Sequence, residues 1–179
     1  MSIKKHQNSD EILKMQYSAR LTYNFAVICS VLSWGLTLTI IIIGWFYSKN
    51  HPEAVAYTIA TLTIINAVVD YGRGKIIKMA ASIRAYIDDK LFYFGNKAVY
   101  NGFTTFFINE YCNRITTMRK RTFEKQKKHS GTDKYKGVKD WYTLTDDLSR
   151  EEEIIFAQKE NCVFDKSISK YSIDRKSVV

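Results

Sequence analysis

Phe25 to Tyr47, FAVICSVLSWGLTLTIIIIGWFY, carries no charged side chain, and neither do its neighbours from Leu21 to Ser48. A helix of about 23 residues rises about 34 Å, enough to cross a hydrocarbon core about 30 Å thick. Each charge at the centre of such a helix costs about 2.5 to 3.5 kcal/mol on insertion scales, and this run contains none. A buried helix of a soluble protein would need apolar surroundings on every face. A chain of 179 residues, 25% of them charged, has little material for such surroundings. The run therefore belongs in lipid. It is too long for the apolar core of a secretory signal, and it ends in Trp45, Phe46 and Tyr47, an aromatic belt suited to a retained span.

The connection SKNHPE, residues 48 to 53, holds the chain's single proline, Pro52. A second apolar run follows, Ala54 to Val69, AVAYTIATLTIINAVV. Its length is roughly 24 Å if helical, short for a span. Helical extension through Pro52 or Tyr71, or a locally thinned bilayer, makes up the difference. An interfacial helix is the rival reading, weakened by the lack of a charged face. Lys4, Lys5, Lys14 and Arg20 precede the pair, and Arg73, Lys75, Lys78 and Arg84 follow it, whereas the loop has Lys49 alone. The positive-inside bias places both ends in the cytoplasm and the loop outside.

Small residues recur at helical spacing in both runs: Ala26, Ser30, Ser33 and Thr37 in the first, Ala56, Ala60, Thr63 and Ala67 in the second. Such faces permit close helix approach, within one hairpin or between protomers. A more polar stripe, Thr63, Asn66 and Asp70, runs to the cytoplasmic edge. It could line a water path, or it could be hairpin packing with Asp70 as a boundary residue.

Beyond Gly74 the helical period continues through Ile76, Ala80, Ile83, Ile87, Leu91 and Phe94, with a stop at Gly95 and Asn96. GRGK at residues 72 to 75 lacks the spacing of a phosphate loop. Phe103, Phe107, Tyr111, Ile115 and Met118 predict another helix from about Phe103 to Phe123. Its tail is basic: Arg119, Lys120, Arg121, Lys125, Lys127 and Lys128. These six could hold phosphates of a nucleotide or of lipid headgroups, or form a solvated charged loop. After a loop at residues 127 to 137 the sign reverses, with Asp140, Asp146, Asp147, Glu151, Glu152 and Glu153. The two blocks could pair within the domain or between subunits. Ser149 and Glu152 have capping-box spacing and open a last helix carrying Ile155, Phe156, Val163, Phe164, Ile168 and Tyr171. Three scattered cysteines and three scattered histidines suggest neither a disulfide framework nor a metal site.

At residues 137 to 142, GVKDWY, and 157 to 171, AQKENCVFDKSISKY, the chain resembles the SMODS-associating four-transmembrane effector family. The family pattern has an apolar hairpin, a helix with an FD-x-x-VF-like segment, a K-x-WY element, and then CQ-x-x-N-x-x-WD-x-x-L-x-x-Y. Tyr86 to Phe92 corresponds loosely to the first segment; Lys139, Trp141 and Tyr142 match the second. Gln158, Asn161, Asp165 and Tyr171 match the third, with Ala157 in place of Cys and Phe164 in place of Trp. The resemblance implies a pore-forming protein of bacterial conflict systems, working with nucleotidyltransferases that make cyclic oligonucleotide messengers. The family carries a second apolar pair after the last motif, and here the chain reaches Val179 first. That leaves two expectations, a truncated chain or a short member working with one hairpin. Residue by residue, Trp141 and Tyr142 suit core or headgroup packing, and Asn161 and Asp165, one turn apart, suit a ligand contact or a helix cap.

The expected fold is mainly α, an N-terminal transmembrane helical hairpin followed by a helical cytoplasmic domain, divided at residues 1–20, 21–72 and 73–179. The expected function is that of an inner-membrane effector in a nucleotide-messenger, anti-phage (CBASS-like) system, forming a homo-oligomer that disrupts the membrane. The expected partners are the lipid bilayer, further copies of the chain and a cyclic nucleotide messenger, with no cofactor, no nucleic acid and no enzymatic activity. The alternative is a membrane-anchored scaffold whose basic block recruits nucleotide, nucleic acid or anionic lipid without making a pore. No nucleophile elbow, metal cluster or paired carboxylates support catalysis.

Overall fold

The structure, a computed structural model, describes residues 2–47, 49, 52–92, 97–131, 133, 137–145 and 147–162. The described chain is mainly helical. A short α1 (Ile3–His6) precedes two long helices, α2 (Asp10–Tyr47) and α3 (Pro52–Phe92). A two-stranded antiparallel ladder, β1 (Val99–Tyr100) and β2 (Phe103–Thr104), leads into α4 (Thr105–Met118) and α5 (Lys120–Gln126). A further helix, α6, covers residues 150–162.

The chain divides into two compact units. One holds residues 1–17, 86–96 and 112–179; the other holds residues 18–85 and 97–111. Helix α2 opens with Asp10 and Glu11, acids that complement the positive end of the helix dipole. Helix α3 opens on Pro52, whose fixed φ and missing N–H suit a first helical position. The helix then continues without a break past Asp70 and Gly74, so the second apolar run gains the length it lacks alone.

In the second unit the apolar stretches of α2 and α3 lie side by side. Their most apolar windows are only 11% and 6% buried, whereas a core helix of a soluble protein is mostly buried. Trp34, Trp45 and Tyr57 are more than 70% exposed. Ala26 and Ser33 of the small-residue stripe on α2 are buried, and so is Val55 of α3. A Cβ added to Gly44 would lie 3.5 Å from the Ile59 side chain, so the two helices come close there. Ala56, Ala60, Thr63 and Ala67, the small stripe of α3, are exposed instead.

The sequence places a helix start at about Phe103, and the chain differs. Tyr100 pairs with Phe103 across a two-residue turn in which Asn101 has φ 48° and Gly102 φ 90°. Asn-Gly is a favoured pair for such a tight hairpin, because both positions demand positive φ. The helix therefore begins only at Thr105, with the Thr104 hydroxyl accepting the Phe107 N–H at 3.2 Å. Near residue 119 the helix is interrupted, so α4 and α5 are separate. The ladder is fastened to α3 by Ser82, whose hydroxyl donates to the Tyr100 carbonyl at 3.0 Å.

In the first unit Ile3, Ile12, Leu13, Ile87, Leu91 and Val138 are almost wholly buried. The capping box forms as expected: the Ser149 N–H donates to Glu152 at 2.8 Å, and the Glu152 N–H to the Ser149 hydroxyl at 3.4 Å. The Ser149 N–H also holds the Glu152 carboxyl below its ordinary pKa. The stop at Gly95 and Asn96, and Phe94, Val163, Phe164 and Ile168, lie outside the described residues.

The turn gives a direct check. A Cβ at the left-handed position of Gly102 costs about 1 to 2 kcal/mol, so Gly102→Ala should lower stability by that amount in detergent denaturation. Asn101→Gly should be close to neutral. Equal behaviour of the parent and Gly102→Ala would show that the turn has a different geometry.

Candidate functional site

The polar centre of the first unit is Tyr142, only 2% exposed. Its backbone is read by the side-chain amide of Gln7, itself 1% exposed. The Tyr142 N–H donates to Gln7 Oε1 at 2.9 Å, and Gln7 Nε2 donates to the Tyr142 carbonyl at 3.1 Å. The Tyr142 ring sits 5.9 Å from that of Phe92. Its hydroxyl donates to Asp88 Oδ1 at 3.3 Å and accepts from Asn161 Nδ2 at 3.0 Å. Asp88, Tyr142 and Asn161 come from the three short segments that carry the family resemblance. The structure thus brings the three segments together on one phenolic oxygen.

Two further contacts close this unit around its N-terminal segment. Asn8 and Asp140 exchange hydrogen bonds, Asn8 Nδ2 to Asp140 Oδ1 at 2.8 Å and the Asp140 N–H to Asn8 Oδ1 at 3.0 Å. Asp140 has φ 46°, a left-handed conformation that aspartate and asparagine tolerate better than most residues. Glu153 is 3% exposed and its carboxylate accepts the Ile3 N–H at 2.8 Å and the Ser2 hydroxyl. A buried carboxylate is thereby matched to free N–H and O–H groups at the start of α1 rather than to a cation.

The basic block divides. Arg119, Lys120, Arg121, Lys125 and Lys128 are exposed around α5. Lys127 instead reaches Asp10, which also pairs with Lys14 at 3.2 Å. The hydrogen bond to Lys127 depresses the Asp10 carboxyl, which lies well before the apolar run, and raises the Lys127 ammonium above its ordinary value. Three of the acidic residues downstream have other partners: Asp140 binds Asn8, Glu152 caps α6 and Glu153 holds α1. Asp146 lies outside the described residues. Lys139 and Gln158 are exposed and Trp141 is half-buried, while Asp165 and Tyr171 lie outside the described residues.

In the second unit the polar stripe becomes a tie between helices. Asn66 Nδ2 donates to the Thr37 hydroxyl at 3.2 Å. Arg73 donates to the Ser30 hydroxyl at 3.3 Å and pairs with Asp70 at 3.3 Å. The exposed Thr63 returns its own hydroxyl to the Ile59 carbonyl at 2.8 Å. It therefore needs no water to satisfy it. Among the described residues no group of His, Cys, Asp and Glu is placed to hold a metal ion.

Sequence reasoning missed Gln7, Asn8 and Glu153 as contact residues. Asp88 was within reach, since it lies in the first matched segment.

Two long, apolar, outward-facing helices define a helical membrane protein, and a polar hub built from distant segments centres its other compact unit. The chain belongs to the SMODS-associating 4TM effector domain family, which matches residues 1–171. Searches of curated proteins and of solved structures find no significant match. The family is associated with SMODS/CBASS-type systems, and the chain is a membrane protein with transmembrane helices.

Gln7→Ala strips partners from a buried N–H and a buried C=O, each worth about 1 to 3 kcal/mol when left unmet. Tyr142→Phe keeps the ring and removes one hydroxyl bridge, at about 1 kcal/mol. Thermal unfolding in detergent should rank the two variants in that order. Acid titration tests the Asp10 tie. Because its folded pKa is lowered, the stabilisation is complete above the unfolded value and fades as pH drops below about 4. Asp10→Asn should therefore flatten the loss of melting temperature between neutral and acid pH; an unchanged slope would show that the tie contributes nothing.

Proposed function

We propose that this chain is an inner-membrane effector of a bacterial nucleotide-messenger defence system, which breaches the membrane by assembling its hairpins. Both termini lie in the cytoplasm, and the unit centred on Tyr142 receives the signal there. The signal is a cyclic oligonucleotide. It acts by binding the assembled form more tightly than the resting one, since only such a difference can move the equilibrium. The chain works by association and not by catalysis.

The observation that carries this reading is the hairpin of α2 and α3 within an effector family. Both helices are exposed over nearly all their apolar length, and the small stripe of α3 has no partner helix among the described residues. Small exposed faces in lipid favour association with other helices. Asn66 adds a second pointer, because its Oδ1 atom is shielded from solvent and has no hydrogen-bond partner among the described residues. Exposed cations on α5 suit the phosphates of a messenger, which is why the signal is assigned to a nucleotide.

Full-length protein reconstituted into dye-loaded vesicles supplies the test. Leakage should appear with one member of a panel of cyclic oligonucleotides and be weak without it. Lys120→Ala with Arg121→Ala should shift the required messenger concentration upward. An absence of leakage across the whole panel, with the protein inserted and folded, would refute the proposal.

A further inference from the structure

The second unit exposes a compact aromatic surface that no described segment covers. Phe106 is 76% exposed, Phe107 46% and Val99 50%. Phe103 and Phe107 stack at 5.8 Å with ring planes 13° apart. These residues come from the β1–β2 ladder and the first turn of α4, so the apolar surface is a cap at one end of that helix. Farther along α4 the exposed surface becomes polar at Glu110.

Two hydrogen bonds locate this cap beside the start of the apolar run. The Tyr111 and Thr22 hydroxyls are 3.1 Å apart, and Thr22 lies just before Phe25. The Ser82 hydroxyl shares its one proton between the Tyr100 carbonyl at 3.0 Å and the Lys78 carbonyl of its own helix at 2.7 Å. Lys78 is exposed there, and Lys97 is exposed ahead of β1. Apolar rings bordered by lysines, beside the start of a lipid-facing run, match the composition of a membrane interface. The rings enter the acyl boundary while cations meet the headgroup phosphates. The same rings in water would be an exposed apolar patch with no compensation.

We propose that the β1–β2 ladder and the first turn of α4 form a membrane-interface anchor, with Phe106 and the Phe103–Phe107 stack seated in the bilayer boundary. The occupant of this surface is lipid. The anchor does not depend on pore formation and belongs to the resting protein.

The experiment is nitroxide accessibility in vesicles of mixed zwitterionic and anionic lipid, using the full chain. Cys29→Ser and Cys162→Ser remove the more accessible thiols, and buried Cys112 is kept. A label at Phe106→Cys should meet dissolved oxygen more than a water-soluble nickel chelate. At Glu110→Cys the preference should reverse. If Phe106→Cys loses its helical circular dichroism, Val99→Cys carries the label in its place. Equal nickel access at both sites would overturn the proposal. Spectral broadening at 106 that fades on dilution with unlabelled protein would also overturn it, by assigning the surface to a second copy. Because no messenger is present, neither result bears on the leakage assay.

Discussion

Hydrocarbon offers no hydrogen-bond partner, and this constraint orders the hairpin. Ser30, Thr37, Thr39, Thr58, Thr61 and Thr63 each return their hydroxyl to the carbonyl one turn earlier in the same helix. Such hydroxyls need no neighbour, so they can sit on any face of α2 or α3. Asn66 and Arg73 cannot satisfy themselves in this way. They sit where α2 and α3 meet and use Thr37 and Ser30 as acceptors. The register of the pair is therefore set by its few obligatory polar contacts, while the apolar side chains remain turned to lipid.

The other unit solves a different problem, joining segments that are far apart along the chain. Its solution is a tyrosine with both ends in use, the backbone by Gln7 and the hydroxyl by Asp88 and Asn161. The short motifs that carry the family resemblance are thus contact points of one network. The neighbouring cations differ in setting, since Lys127 pairs with Asp10 and the others are exposed on and beside α5.

Features with local causes were legible in the residues. The charge-free run, Pro52 opening α3 and the Ser149–Glu152 box all act within a few positions. The aromatic spacing after residue 100 misled in an informative way. Phe103 and Phe107 do meet, as helical spacing implies, but Phe103 does so from a strand. The Asn101–Gly102 pair was the local signal that outranked the period. Gln7, Asn8 and Glu153 left no trace of their roles, because each works through a partner more than 130 positions away. Charge blocks were equally uninformative about partners. An acidic side chain can serve a backbone N–H as readily as a lysine, and Glu153 does so.

The grip of Glu153 on Ile3 spans 150 positions of sequence. During synthesis the N-terminal segment is made first and cannot find its place until the ribosome has delivered α6. By then both oily helices have left the exit tunnel and met the insertion machinery. Biogenesis is thereby given a sequence of events: bilayer entry comes first, and closure of the polar unit around its own beginning comes last.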